Sequence, residues 1–171
     1  MNRALAIMLL SVWLCAGLVG NASAQWVTFP SAPAESLVLS EAQDVSHVLS
    51  PVRAYLSVPT RSGPHPGVVM LPACEGQRAH HQSWAQSVSE QGYVALVVDH
   101  YFLYDRGRTC DVGNPQAEAD LLYMRLLHAL GAAAYLAERP DVDAARLAVM
   151  GWDDAPVGIL TRETGWPRPR R

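Results

Sequence analysis

The segment LAVMGWDDAP, Leu147 to Pro156, sets a carboxylate where chemistry is often done. Four apolar residues run into Gly151-Trp152, which is how a buried strand delivers a side chain onto a sharp turn, and the side chain delivered is Asp153. An aspartate so placed can act as a covalent nucleophile if a histidine activates water to release the intermediate. It can equally be a turn residue with no chemical role, and the spacing leaves both open. A second segment, Pro72-Ala73-Cys74-Glu75-Gly76, follows an apolar run and offers backbone N–H groups of the kind that hold a developing oxyanion. A third, Asp99-His100-Tyr101, places a histidine at another strand tip. His100 is therefore the candidate base, against the plainer reading of a tip histidine without a catalytic role.

The remaining titratable residues carry less. His80 and His81 are adjacent in a helical segment, where neighbouring side chains point about 100° apart. With no cysteine or carboxylate expected to complete the set, no metal site and no cofactor are expected. His47, His65 and His128 fall in lead-in, loop and helix contexts and are assigned no role. Arg106 and Arg108, beside Cys110, are either contacts for a substrate carboxylate or part of a solvated loop.

The elements that must position these groups follow from the hydrophobic pattern. Val52, Ala54, Leu56 and Val58 alternate with Arg53, Tyr55 and Ser57, as in a half-exposed strand closed by Pro59. Gly67–Leu71 and Tyr93–Val98 are continuous apolar runs, the signature of central parallel strands. Between them HHQSWAQSVSEQ reads as a helix ending at Gly92. Gln116 to about Glu138 reads as the longest helix, stopped by Pro140, with a broad face of Leu121, Leu122, Met124, Leu126, Leu127, Leu130 and Tyr135. RLAVM is the next strand, and Asp154 is a suitable N-cap for a short helix after it. Strand and helix in alternation predict an α/β fold with a mainly parallel sheet and helices on both faces. In such sheets the site lies beyond the carboxyl ends of the strands, which is where the three segments above sit.

Residues 1–24 read as a signal peptide rather than as fold: Arg3, an apolar run from Ala4 to about Val19, and Ala22-Ser23-Ala24 as a cleavage site. The expected location is periplasmic or secreted, with cleavage after Ala24; the alternative is an uncleaved anchor. Residues 25–50 read as an extended lead-in with one edge strand, 51–165 as the domain, and 166–171 as a basic tail. Without Arg3 there are 12 arginines against 16 acidic residues, so nothing points to nucleic acid. Every cation is Arg, which excludes Schiff-base and lysine-base chemistry. Cys15 leaves with the leader. In an oxidising compartment Cys74 and Cys110 are then expected to pair, contributing roughly 3–4 kcal/mol in the chain-entropy model, the alternatives being a buried free thiol or a reactive Cys74.

At the strand tips the sequence resembles the dienelactone hydrolase family of the α/β-hydrolase superfamily, particularly its exported members. The resemblance is carried by PGVVMLPACEGQRAHHQSWAQSVSEQGYVALVVDHYFLYDRGRTC and DVDAARLAVMGWDDA, and runs from about Val52 to Ala155. It implies a partial α/β-hydrolase fold lacking the last strands and a function in cleaving small carboxylic esters or lactones. It also implies departures. Asp153 stands at the nucleophile position where relatives read Gly-Trp-Ser-x-Gly, Ala155 at the following glycine, and Glu75 at a glycine of the first tip. The backbone N–H groups of Cys74 and Asp154 stand at the oxyanion positions. Only 16 residues follow Ala155 and none is histidine, so a triad of the family kind is expected to be incomplete and the domain truncated at its C-terminus. Catalysis is expected to be impaired or absent, the alternative being a non-catalytic periplasmic binding protein on the same scaffold. Loss of later strands would leave Leu147–Met150 as an open edge available for pairing with a partner.

Overall fold

A computed structural model describes residues 22–33, 51–103, 115–153 and 155, with only the backbone of 115–119 described. The elements in sequence order are β1 (Ser23–Pro30), β2 (Pro51–Val58), β3 (His65–Leu71), α1 (Ala79–Glu90), β4 (Val94–Asp99), α2 (Pro115–Ala137) and β5 (Val142–Gly151). They form one five-stranded sheet in the order β1-β2-β4-β3-β5. β1 and β2 pair antiparallel, as do β2 and β4, whereas β3 runs parallel to both β4 and β5. The fold is therefore α/β, with a mixed sheet whose parallel half carries the three tips.

Among the described residues, each face of the sheet is covered by one helix. The α2 face holds the larger core: Val52, Ala54 and Leu56 from β2, Val69 and Leu71 from β3, and Val94, Leu96 and Val98 from β4 pack under Met124, Leu127 and Leu136. On the other face Tyr55, Met70, Ala95 and Val97 pack against Ala85 of α1. The period-2 alternation separates these sets cleanly, since successive strand residues face opposite sides. β4 is buried at all six positions, as a strand covered on both faces must be.

Two expectations are corrected. β2 is not half-exposed: Tyr55 and Ser57 are buried beneath α1, where the Ser57 and Ser89 hydroxyls lie 2.8 Å apart and Gln86 Nε2 donates to Tyr55 Oη at 2.9 Å. Alternation with polar residues is ambiguous when those residues find partners on a covering helix. The last strand is also longer than RLAVM, starting at Val142, because the parallel pairing with β3 begins at His65 and runs through an irregularity before Gly67. One edge strand is present as β1, but it starts at Ser23, two residues inside the segment 1–24 read from sequence as a leader. The helix expected after Asp154 lies outside the described residues. Among the described residues no helix is long and apolar enough to cross a membrane.

The β1 end of the sheet is locked to α2 at Gly131. A Cβ there would meet the Pro30 carbonyl oxygen at 2.5 Å and the Ala32 nitrogen at 2.9 Å, and Ala32 N–H donates to Leu127 O at 3.0 Å. Helix propensity alone would make Gly131→Ala stabilising by up to ~1 kcal/mol. Because the obstructing atoms are backbone, the clash outweighs that gain, and the variant is expected to be destabilised by about 1–3 kcal/mol. Urea denaturation of the two proteins checks the sign.

Candidate active site

The parallel β3–β5 ladder brings two of the tips together. Leu71 is the register partner of Gly151, and Trp152 N–H donates to Leu71 O at 3.1 Å. The backbone therefore leaves both strands at the same height, with the Pro72–Gly76 bend beside the Trp152–Ala155 bend. Asp153 has φ +45°, the left-handed region, and it is the one non-glycine residue with positive φ among those described. Ala155 N–H closes the turn on Trp152 O at 3.0 Å. A left-handed residue at a strand-to-turn junction is the backbone form of a nucleophile elbow. Aspartate tolerates it better than most side chains, at a cost on the order of 1 kcal/mol. The Asp153 side chain is exposed.

The first bend is equally tight. Gly76 N–H bonds Ala73 O at 3.0 Å, Gly76 has φ +76°, and an added Cβ would meet the Tyr101 ring at 3.0 Å. Arg125, buried on α2, donates from Nη2 to Pro72 O at 2.9 Å and ties the bend to that helix. Cys74 is half-buried in the bend. Its expected partner Cys110, the second oxyanion donor Asp154, and Arg106 and Arg108 lie outside the described residues, as does His47.

Glu75 is half-buried. Its carboxylate joins His80 and His81, one ligand atom from each of the three lying within 4.8 Å of the others. The expectation that no carboxylate accompanies these histidines fails for a tertiary reason: the left-handed Gly76 folds the backbone so that the bend faces the first turn of α1. The two imidazoles also meet rather than diverge, with ring centroids 3.9 Å apart. His81 is fully buried, accepts the Arg78 backbone N–H on Nδ1 at 3.0 Å, and packs edge-on against the Trp152 ring at 4.5 Å. Burial, followed by the His80 charge, lowers its pKa from 6.5 to about 4. Trp152 and His81 thereby couple the elbow to the start of α1.

His100 has a different environment. It is buried under α2, stacked on His128 with centroids 5.6 Å apart and planes 12° from parallel. Among the described residues neither ring nitrogen of either histidine has a hydrogen-bond partner. Burial, then His128 and Arg125, pushes the His100 pKa well below 6.5, and burial lowers that of His128 to about 4. The structure thus joins His100 to a buried cluster with His128 on the α2 face, beside the Arg125 that holds the Pro72 carbonyl. Sequence alone assigned no role to His128 or Arg125, although a signal was present: they lie three apart within the apolar face of the helix, where a polar side group is costly unless it has a use. His65 is buried at the start of β3 and bonds the Arg61 carbonyl at 2.9 Å, a local structural contact. At the third tip, Asp99 accepts two bonds from Arg53, at 2.6 and 3.1 Å, while that guanidinium lies 3.9 Å from the Phe102 ring centroid and 4.5 Å from that of Trp26.

The sequence model of the Dienelactone hydrolase family matches residues 52–152, a span that contains both strands of the site and the bend between β3 and α1. The protein belongs to the dienelactone hydrolase family. Among solved structures, m3DLH is similar at 23% identity and TM-score 0.60, over 84% of the present sequence and 55% of its own. A dienelactone hydrolase-like promiscuous phosphotriesterase from metagenomic libraries is similar at 18% identity and TM-score 0.56, over 81% and 54% respectively. The esterase rPPE, as its W187H mutant, is similar at 16% and 0.53, over 83% and 38%. These likenesses show an α/β-hydrolase-like fold, and the protein spans about half the length of the first two structures. No curated protein sequence matches.

The buried histidines make stability depend on pH. Unfolded, His128 binds a proton near pH 6.5; folded, only near 4. Between those values the unfolded state holds more protons, so stability is complete above about 6.5 and falls as the pH drops toward 4. The His128 contribution lost between pH 7 and 4.5 is roughly 2–3 kcal/mol. His128→Leu is expected to flatten that slope, measured as denaturation midpoints across the range.

Proposed function

We propose that the crevice between the Pro72–Gly76 bend and the elbow binds small carboxylic esters or lactones, with Asp153 at the nucleophile position, and that turnover there is weak or absent. The observation that carries the reading is the left-handed Asp153 at the end of β5, beside the bend after β3. Membership of a hydrolase family supports the substrate class. The weakness follows from the nucleophile. Attack by the Asp153 carboxylate on an ester carbonyl expels an alkoxide and leaves a mixed anhydride, a less stable acyl bond than the ester consumed. A serine in the same place would form an ester from an ester, with no such penalty. The backbone N–H groups of Cys74 and Asp154 are the oxyanion donors in this reading. The second reading, a binding protein without turnover, is favoured by the environment of His100, fully buried and stacked on His128 with its pKa well below 6.5.

Hydrolysis of a chromogenic ester with a small acyl group separates the two. Slow turnover is expected, reduced to background by Asp153→Asn, which keeps the shape and removes the attacking charge. Background rates in the unaltered protein, together with ester binding detected by calorimetry, would leave the binding reading standing.

The site belongs, in this reading, to a protein exported by its leader and cleaved after Ala24, with Cys74 and Cys110 joined and the outer edge of β5 open to a further strand. Two observations motivate it: the leader pattern of residues 1–24 and the pair of cysteines that remain. The intact mass of the exported protein is expected to start at Gln25 and to rise by two hydrogens on reduction. A mass retaining residues 1–24, or one unchanged by reductant, counts against it.

A further inference from the structure

The geometry points to a binding site for a divalent transition-metal cation of the zinc class, formed by Glu75, His80 and His81 at the start of α1. Two imidazoles and one carboxylate are the donor set with which proteins hold zinc while leaving a coordination position open. Here one ligand atom from each residue lies within 4.8 Å of the other two. Tetrahedral ligation at about 2.1 Å sets ligand atoms about 3.4 Å apart, so side-chain rotations of the order of an ångström complete the set. His80 is exposed and Glu75 half-buried, which leaves both able to make that movement.

An independent observation comes from His81. Its side chain is fully buried and, among the described residues, Nε2 has no hydrogen-bond partner, an arrangement that buried polar atoms avoid unless something else satisfies them. The charge balance is also informative. A helix N-terminus repels a cation, and α1 has no acidic residue in its first turn. The negative charge in the set is that of Glu75, delivered by the bend rather than by the helix, so the carboxylate supplies charge as well as a ligand.

The cap of α1 provides a readout that activity does not. The Arg78 N–H donates to the His81 Nδ1 lone pair at 3.0 Å, so in the metal-free protein the imidazole proton is on Nε2. Ligation through Nε2 moves that proton to Nδ1, and ligation through Nδ1 uses the lone pair directly. Either route breaks the bond to Arg78. Cation binding is therefore coupled to release of the Arg78 amide.

The test uses the full-length protein stripped with a chelator and titrated calorimetrically with zinc chloride. One zinc per molecule at micromolar affinity or tighter is expected, weakened at least about tenfold by His80→Ala and by Glu75→Gln and unaltered by His47→Ala. Neither affected side chain is in the core, so metal-free unfolding temperatures of the variants report that the fold is intact. Zinc is also expected to shift the Arg78 amide resonance and speed its hydrogen exchange. Absence of zinc binding at tenfold excess, equal affinity in the His80 and Glu75 variants, or an Arg78 amide unmoved at saturation would overturn the assignment. None of these readouts depends on ester hydrolysis.

Discussion

The parallel pairing of β3 with β5 holds the site together. With Leu71 opposite Gly151 and Trp152 N–H on Leu71 O, two segments separated by some eighty residues turn away from the sheet side by side. A slip of one residue would move every side chain of β5 to the other face and carry Asp153 away from the Cys74 bend. What prevents the slip is burial: Val69 and Leu71 belong to the core under α2, and Met70 to the one under α1, with Val149 and Met150 of β5 packed against the same two sets.

Two kinds of histidine environment arise around that frame. On the α2 face, His100 and His128 stack in a setting dry enough to keep both rings neutral. Their cost is borne by a large hydrophobic cluster, and their effect is acid sensitivity. On the α1 face, His81 is held at a helix start by the Arg78 amide and by the Trp152 ring, within reach of Glu75 and His80. The first pair is sealed off. The second group includes the exposed His80 and the half-buried Glu75, and its link to Trp152 makes the elbow and the helix start parts of one structure.

The elbow is defined by its backbone. Asp153 occupies a left-handed turn, and the Ala155-to-Trp152 hydrogen bond closes it. The side chain presented there is the exposed carboxylate of Asp153. In the bend after β3, the Glu75 carboxylate lies with His80 and His81 at the start of α1.

Local sequence was enough to specify the elements and their order. Continuous apolar runs at Gly67–Leu71 and Tyr93–Val98, the long apolar helix stopped by Pro140, and Gly92 with φ +96° at the end of α1 are signals that tertiary context did not override. The elbow was legible for the same reason, since an apolar run into Gly-Trp-Asp is a property of a few neighbouring residues. Strand direction and exposure were not local. Whether β2 runs antiparallel to β4, and whether Tyr55 and Ser57 face water or α1, depends on what is packed from elsewhere in the molecule. The meeting of Glu75 with two histidines required the folded protein, because a left-handed glycine reverses the backbone between them. The pairing of His100 with His128 required it too, because burial there is decided by a helix that begins some fifteen residues further on.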